Sequence, residues 1–285
     1  MKFSILIANY NNGKYFKECY DSIIAQDYSN WEAIIFDDKS TDDSVSVISS
    51  IIKDDGRFVF YYNEENKGCG YAKRKCVELA TGEICGFLDP DDAITKDAVS
   101  LMVEAHKAHP EISLAHSIFY YCDENLNIEH PFPLAKHTEV NKKFINMDGA
   151  VNHFAAFKLS FYKRTQGIHA NLLRAVDQDL YLQLSETGPF YFINKPLYLY
   201  RIHKGGISTN NFLKAFYCHL KVVGMAEERR GINLENEVEF HLTGKGKPAL
   251  YYESRLSNPR FLLRKFLGIL KRQPAYFIKK LVLNK

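Results

Sequence analysis

Three aspartates lie close together at Asp89, Asp91 and Asp92, and Pro90 separates the first from the other two. They follow an apolar run over residues 84–88 that is typical of a buried strand. Pro90 favours a loop after that strand because it has no N–H to donate. Carboxylates so close together repel one another unless a cation lies among them, and hard cations such as Mg2+ or Mn2+ bind carboxylate and phosphate oxygens. The cluster therefore indicates a metal and phosphate site, although an acidic turn that caps the next helix fits the same residues.

The N-terminal part of the chain alternates between segments typical of strands and segments typical of helices. Short apolar runs predict strands over residues 1–8, 31–36, 58–62 and 84–88. Apolar residues at helical spacing follow each of the first three runs, and Gly82 ends the third helix, over about residues 71–80. Strands that alternate with helices imply right-handed crossovers and a parallel sheet covered on both faces.

A polar cluster follows each of the four predicted strands. In chain order the clusters are Asn9/Tyr10/Asn11, Asp37/Asp38, Lys67/Gly68 and Asp89/Asp91/Asp92. The carboxyl ends of parallel strands lie at one edge of the sheet, and ligands of such sheets bind beyond that edge. The sequence therefore predicts one polar site there rather than four unrelated turns.

Several segments, in this order, resemble family 2 of the glycosyltransferases, which are inverting enzymes of the GT-A fold that use nucleotide-sugars. They are SILIANYN (4–11), FDDKSTD (36–42), NKG (66–68), AKR (72–74), LDPDD (88–92), VDQDL (176–180) and YRIHKGGIS (200–208). The resemblance covers about residues 1–210. It implies an α/β fold of the GT-A type, in which a Rossmann-like mixed, mostly parallel sheet is flanked by helices and followed by a C-terminal helical extension.

The same resemblance implies how the chain is divided. Residues 1–95 would bind the nucleotide-sugar, and residues 96–211 would form the acceptor-binding half of the same GT-A domain. A strand is expected over residues 113–122 of that half, followed by a variable loop over about residues 123–150. Beyond the resemblance, the residue pattern itself predicts that residues 212–285 form a helical, basic and amphipathic extension.

A set of donor-binding residues follows from the resemblance. Its members are Ala8, Tyr10, Asn11, Asp38, Lys67, Gly68, Lys73, Arg74 and Asp89. Tyr10 would lie against the nucleobase, and Asp38 would accept its N–H. Lys73 or Arg74 would reach the diphosphate from the third helix.

The metal, Mg2+ or Mn2+, would be bound by Asp91, Asp92 and His203. The resemblance has one aspartate of the cluster contact the ribose while its neighbour binds the metal, and Asp89 and Asp91 both remain candidates for the ribose. His203 would bind the metal or contact the diphosphate. Gly205 and Gly206, which follow it, predict a mobile flap over the donor.

The family places its catalytic base in an Asp-x-x-Leu segment that begins a helix, and Asp177 occupies that position here. The acid that usually precedes the base is Val176 in this chain, which is a departure. Asp179 is the competing candidate, and residues two positions apart do not share a helix face. A role for Asp177 as a helix cap remains the alternative.

We expect a non-processive inverting glycosyltransferase that moves one sugar from a nucleotide-diphosphate sugar, UDP-linked, to a glycan or lipid-linked acceptor in surface polysaccharide assembly. Processive relatives carry a Gln-x-x-Arg-Trp segment, whereas the only tryptophan here is Trp31. A sugar-nucleotide pyrophosphorylase-like nucleotidyltransferase would need a glycine-rich loop after the first strand, where residues 9–13 hold a single glycine. A catalytically inactive glycan-binding relative is the other alternative, and the complete acidic cluster argues against it.

Charge is concentrated near the C-terminus. Residues 255–285 contain nine lysines and arginines and no acidic residue. From Arg260 onward, basic and apolar residues separate onto two sides of a helix, which is typical of an interfacial membrane binder. We therefore predict a contact with an anionic membrane surface, with a C-terminal helix packed on the protein as the alternative. Nucleic acid is not an expected partner because no recognition motif accompanies the charge.

The remaining sequence features concern cellular location. The six cysteines form no CxxC pair, so we expect reduced thiols. No run of about 18 apolar residues predicts a membrane-spanning helix, and no signal peptide is recognisable before the first strand. We therefore expect a cytoplasmic protein, peripheral at the inner face of the membrane.

Overall fold

The computed structural model describes residues 1–206 and 212–243. Residues 1–234 belong to one compact unit, and a second unit begins at Glu235. Within the second unit, the described part is the helix Glu235–Thr243 (α8). The amphipathic membrane segment predicted over residues 255–285 lies outside the described residues.

The first half of the main unit alternates strands and helices as predicted. Its elements are β1 (Phe3–Asn9), α1 (Phe16–Ile24), β2 (Trp31–Asp37), α2 (Ser44–Ile52), β3 (Phe58–Tyr62), α3 (Cys69–Leu79) and β4 (Ile84–Phe87). The four strands are parallel and lie in the order β3-β2-β1-β4. Both faces of β1 and β2 are buried, as expected of central strands covered by helices.

The second half adds antiparallel strands to the same sheet. Its elements are β5 (Ala93–Ile94), α4 (Ala98–Ala108), β6 (Leu114–Cys122), β7 (Ile128–Pro131), β8 (Ala155–Lys158), α5 (Leu159–Tyr162), α6 (Val176–Ser185), β9 (Phe190–Arg201) and α7 (Phe212–Arg230). The nine-stranded sheet has the order β3-β2-β1-β4-β8-β6-β9-β5, with β7 paired to β6. β8 runs antiparallel to β4 and β6, whereas β6 and β9 are parallel. The expected mixed, mostly parallel sheet flanked by helices is confirmed.

One strand lies where the sequence predicted a variable loop. β7 falls within residues 123–150, and all four of its residues are exposed. It pairs with the end of β6, where Tyr120 lies opposite Pro131. An exposed strand has no apolar face, so hydrophobic periodicity cannot reveal it.

Two arginines connect the last helix of this unit to the helix that carries the predicted base. Arg229 and Arg230 of α7 both bind the carboxylate of Glu186, which follows α6, with shortest distances of 2.6 and 2.7 Å. The Arg230 guanidinium is almost fully buried and also donates to the carbonyl oxygens of Lys142 and Phe144. α7 therefore holds the C-terminal end of α6. None of the described helices is long and apolar enough to cross a membrane.

Candidate functional site

The polar residues at the ends of β1 and β2 form one hydrogen-bonded edge. Asn9 lies opposite Asp37 in the parallel register, and its side-chain amide donates to Asp37 Oδ2 at 2.6 Å. Ser40 donates to the same oxygen and accepts the N–H of Asn11. The Asn11 side chain in turn accepts the N–H of Thr41 at 2.7 Å. These bonds hold the two loops together at the predicted edge.

Asp38 is buried and serves as an acceptor for the backbone. Its Oδ2 accepts the N–H of Gly68 at 2.6 Å, and its Oδ1 accepts from Asn63 at 3.2 Å. Both oxygens lie 3.0 Å from the nitrogen of Lys67. Asp38 therefore fixes the loop after β3 against the end of β2.

The other residues predicted for the nucleotide pocket lie around this frame. Tyr10 is 46% exposed at the end of β1, and Ala8 is half-buried just before it. The Lys67 ammonium extends over the ring of Tyr71, 5.2 Å from its centroid. The exposed ring of Tyr10 is suited to stacking on a nucleobase.

Asp92 and Asp91, which are neighbours in the acidic cluster, bind different parts of the protein. Asp92 is 1% exposed, and its two oxygens accept from the Tyr198 hydroxyl at 2.7 Å and the Arg201 N–H at 2.8 Å. Burial, followed by the charges of Asp91 and Asp89, raises the pKa of the Asp92 carboxyl well above its usual range. Asp92 therefore fastens the loop after β4 to β9 by hydrogen bonds, and it is the buried member of the cluster.

Asp91 contacts the histidine that the sequence paired with it. Asp91 Oδ2 lies 2.8 Å from His203 Nε2, on the segment that follows β9. Arg201 Nε donates to the Asp91 carbonyl oxygen at 2.6 Å, and its guanidinium lies over the Tyr15 ring. The Arg201 side chain therefore holds the backbone of Asp91 in place. The Gly205 N–H donates to His203 Nδ1 at 3.2 Å, and the mobile flap expected at Gly205 and Gly206 stays a prediction.

A carboxylate oxygen beside an imidazole nitrogen is a pair of ligands that suits Mn2+. Mg2+ prefers oxygen ligands, so it would bind mainly to the carboxylate. No group of three or more His, Cys, Asp or Glu side chains within the described residues could hold a metal ion. A cation bound by Asp91 and His203 therefore requires further oxygen ligands. Phosphate oxygens of a nucleotide would supply them, as is usual for Mg2+ sites.

A single buried ammonium joins the donor side to the predicted base. Lys73 Nζ lies 2.7 Å from Asp177 Oδ1 and 3.3 Å from Asp89 Oδ1. Burial alone would lower the pKa of Lys73, but the charges of Asp177 and Asp89 outweigh it and raise that pKa well above its usual value. The ammonium is therefore charged and binds two carboxylates from opposite sides of the site.

Asp177 lies in the first turn of α6 with its side chain 30% exposed. Burial acts to raise the pKa of this carboxyl, but the charge of the Lys73 ammonium, the nearby His153 and the hydrogen bond from Lys73 hold it below its usual value. The competitor Asp179 is fully buried and binds His169 Nδ1 at 2.7 Å and Gln183 at 3.0 Å. Asp177 is therefore the aspartate of this pair that solvent can reach.

The two basic candidates on α3 lie in different surroundings. Whereas Lys73 points into the site, Arg74 pairs with Glu78 at 3.0 Å and lies near the Ile168 carbonyl. Consecutive helix residues face different directions, which accounts for this separation. Tyr198, which no sequence motif predicts to lie in the site, donates its hydroxyl hydrogen to Asp92 and accepts the N–H of Asp89. No motif marks Tyr198, whereas Arg201 lies in the conspicuous Arg-x-His segment.

Two glycines allow the loop before α6 to pack directly on α3. Gly70 donates its N–H to the Leu172 carbonyl at 2.8 Å. Gly68, with φ of 91°, lies under the side chain of Leu173. The loop then passes through Ala175, with φ of 57°, and enters α6. This contact positions Asp177 beside Lys73.

Gly70→Ala is expected to destabilise the protein and to lower its turnover. The added Cβ would lie 2.5 Å from the His169 carbonyl oxygen and 2.6 Å from that of Leu172, and backbone atoms cannot rotate away. The loop would have to move and would carry Asp177 with it. We expect a loss of about 1–3 kcal/mol in the free energy of unfolding, measured by urea denaturation. Donor hydrolysis per folded molecule should fall in parallel.

Gly56→Ala is the matched control, because a Cβ at Gly56 meets nothing within 4 Å. It should leave both the unfolding free energy and the turnover close to those of the unchanged protein. Equal behaviour of the two variants would mean that the contact at Gly70 does not position the loop.

A curled mixed sheet with a polar, acidic site at its carboxyl edge defines the GT-A class of α/β proteins. Residues 4–165 match the family described as Glycosyl transferase family 2, and the chain belongs to that family. The resemblance inferred from the ordered motifs is therefore confirmed.

Two characterised relatives show how far the similarity extends. The chain is 32% identical to a chondroitin synthase of Escherichia coli over 236 residues, which are 80% of this chain and 33% of that protein. It is 26% identical to the GalNAc(5)-diNAcBac-PP-undecaprenol beta-1,3-glucosyltransferase of Campylobacter jejuni, covering 97% of this chain and 92% of that protein. The chain thus spans about a third of the Escherichia coli synthase and 28% of a Pasteurella multocida chondroitin synthase.

Solved structures share the fold. One is TarS of S. aureus, residues 1–349, in complex with UDP-GlcNAc, with a TM-score of 0.69 and 19% identity over 83% of this chain and 69% of that one. Another is the mannosyltransferase PcManGT of Pyrobaculum calidifontis in complex with GDP-Man and Mn2+, with a TM-score of 0.62 and 16% identity. It covers 98% of this chain and 83% of that one. Because the sequence identities are only 19% and 16%, these two structures show a shared fold and nothing more.

Proposed function

We propose that this protein is an inverting, non-processive glycosyltransferase that moves one sugar from a UDP-linked donor to a hydroxyl group of a glycan or lipid-linked acceptor. The observation that carries the proposal is the convergence of two groups at one edge of the sheet. Asp91 with His203 is suited to a metal and a diphosphate, and Asp177 is suited to accept a proton. Lys73 connects the two groups through Asp89.

On the donor side, Asp91 and His203 would hold Mg2+ or Mn2+. When bound, the cation acts as a Lewis acid that stabilises negative charge on the leaving diphosphate. Asp89, whose side chain is partly exposed, would contact the ribose, and Tyr10 would stack on the base. Asp92, predicted as a third metal ligand, is better suited to fixing the loop, because both of its oxygens are bound to β9.

On the acceptor side, Asp177 would take the proton of the attacking hydroxyl. An aspartate with its ordinary pKa is already ionised at neutral pH, so Asp177 is present as a carboxylate and can accept a proton as the new bond forms. The base and the leaving diphosphate must lie on opposite faces of the sugar in a single displacement. One such step inverts the anomeric configuration.

The relatives support an acceptor on a surface glycan or a lipid carrier. One is a chondroitin synthase, and the name of another describes a glucosyltransferase acting on an undecaprenol-linked glycan. Transfer of a single sugar rests on the lack of a Gln-x-x-Arg-Trp segment after Asp177. A peripheral position at the cytoplasmic face of a membrane rests on the basic residues between 255 and 285 alone.

Incubation with individual nucleotide-sugars and Mn2+ should identify the donor by its hydrolysis, and UDP-linked sugars are expected to react. The product is then followed by proton NMR before the anomers equilibrate. An α-linked donor should give a β-configured first product, because a single displacement inverts the anomeric centre. The Asp177→Asn variant, measured in the same way, gives the rate of hydrolysis without the proposed base. A first product that retains the α-configuration would refute the role given to Asp177.

A further inference from the structure

The Lys73 ammonium is already shared between two carboxylates before any nucleotide binds. An ammonium carries three N–H donors. In this structure Nζ lies 2.7 Å from Asp177 and 3.3 Å from Asp89, and the Phe87 ring occupies a third side at 4.9 Å from its centroid. A phosphate oxygen that approaches this ammonium must therefore compete with two carboxylates that already bind it.

The burial of the three side chains indicates which partner gives way. The Lys73 side chain is 4% exposed, so it cannot turn into solvent. The carboxylates of Asp177 and Asp89 are 30% and 32% exposed, so water can solvate either of them after the exchange. Asp89 comes from the same short loop as Asp91 and would remain beside the bound nucleotide. Asp177 comes from a different element, α6, and is the partner that can be released.

Charge favours the same exchange. In the free protein, Lys73 faces two carboxylates, and Asp91 and Asp92 lie close by. A diphosphate adds negative charge to this region and competes directly with Asp177 for the ammonium. A carboxylate that has lost its ion pair is a stronger base than a paired one.

We propose that Lys73 is a shared ammonium that couples donor binding to release of the base: it holds Asp177 in the free protein and passes to the diphosphate when the donor binds. This inference rests on the proposed function of the site. It makes Lys73 a positioning residue for Asp177 as well as a contact for the donor.

A double-mutant cycle on nucleotide binding tests the exchange without an acceptor. UDP affinity is measured by calorimetry with Mn2+ for the unchanged protein, Asp177→Asn, Lys73→Gln and the double variant, with GDP as a second probe. Removing the charge of Asp177 removes the competitor for Lys73, so Asp177→Asn should bind UDP about 10-fold more tightly. In the Lys73→Gln background, the same substitution should change the affinity by no more than about 2-fold.

Lys75→Gln is the matched control on α3. Lys75 pairs with Glu78 at 2.7 Å on the exposed side of the helix, so its loss should leave the UDP affinity unchanged. Melting temperatures of all variants establish that the measured affinities belong to folded protein.

The outcomes separate this inference from the proposed function. An equal gain in both backgrounds would mean that Asp177 acts by plain charge repulsion, and it would overturn the exchange. A failure of Asp177→Asn to tighten UDP binding would also overturn it, since Lys73 would then remain paired with Asp177. If neither UDP nor GDP binds the unchanged protein, the proposed function fails and the inference fails with it. If the cycle behaves as expected while Asp177→Asn transfers sugar normally, the coupling stands and the assignment of the base is wrong.

Discussion

Replacing Asp177 with asparagine is expected to lower turnover by about 100-fold or more, the usual contribution of a general base. Asparagine has nearly the same shape but cannot accept the proton of the attacking hydroxyl. The variant should still bind UDP in the presence of Mn2+, because the substitution leaves Asp91, His203 and the residues predicted to contact the nucleotide unchanged. The loss should therefore appear in kcat rather than in donor affinity, measured by steady-state kinetics with the donor identified in the screen.

Asp179→Asn is the comparison that locates the base on α6. Asp179 is fully buried against His169 and Gln183, so this variant should lower the melting temperature and leave the turnover of folded molecules nearly unchanged. An inactive Asp179→Asn beside an active Asp177→Asn would place the base two residues further along the helix.

The second large effect is expected at the metal pair. Asp91→Asn and His203→Ala should each weaken the binding of Mn2+ in the presence of UDP by about 10- to 100-fold or more and should lower turnover at limiting metal. The reason is that Asp91 Oδ2 and His203 Nε2 are 2.8 Å apart and together present a mixed oxygen and nitrogen donor pair. Electron paramagnetic resonance of Mn2+ measures the binding directly, independently of activity.

Asp92→Asn separates the two roles within the acidic cluster. It should cost about 1–3 kcal/mol of unfolding free energy, because the amide cannot accept from both Tyr198 and the Arg201 N–H, while Mn2+ binding is largely preserved. If Asp92→Asn instead abolished Mn2+ binding in a fully stable protein, Asp92 would be the metal ligand. Undiminished turnover of the unchanged protein in excess EDTA would contradict metal dependence altogether.

The sequence by itself determined the class of fold and the edge at which the site lies. Apolar runs that alternate with helical periodicity leave few topologies open, because crossovers between parallel strands are right-handed. Residues that follow adjacent parallel strands must then meet, as Asn9 and Asp37 do. The ordered motifs also placed the acidic loop and the Asp-x-x-Leu helix in one family.

Only the tertiary structure decided which side chain of each candidate pair faces the site. Asp91 and Asp92 are neighbours, yet one reaches His203 and the other is bound to Tyr198 and Arg201. Lys73 enters the site, whereas Arg74 does not. In a loop, side-chain direction has no fixed period, so sequence spacing cannot assign it.

The pairing of Lys73 with Asp177 was also decided by the tertiary structure. The two residues are 104 positions apart, and their contact depends on the loop before α6 packing against Gly68 and Gly70. Local propensity determines that both residues lie on helices, but it does not determine the distance between those helices. That distance follows from the close packing of the loop backbone against Gly70. The sequence therefore determined which residues could do the chemistry, and the packing of that loop decided that the base and the donor-side lysine share a single ion pair.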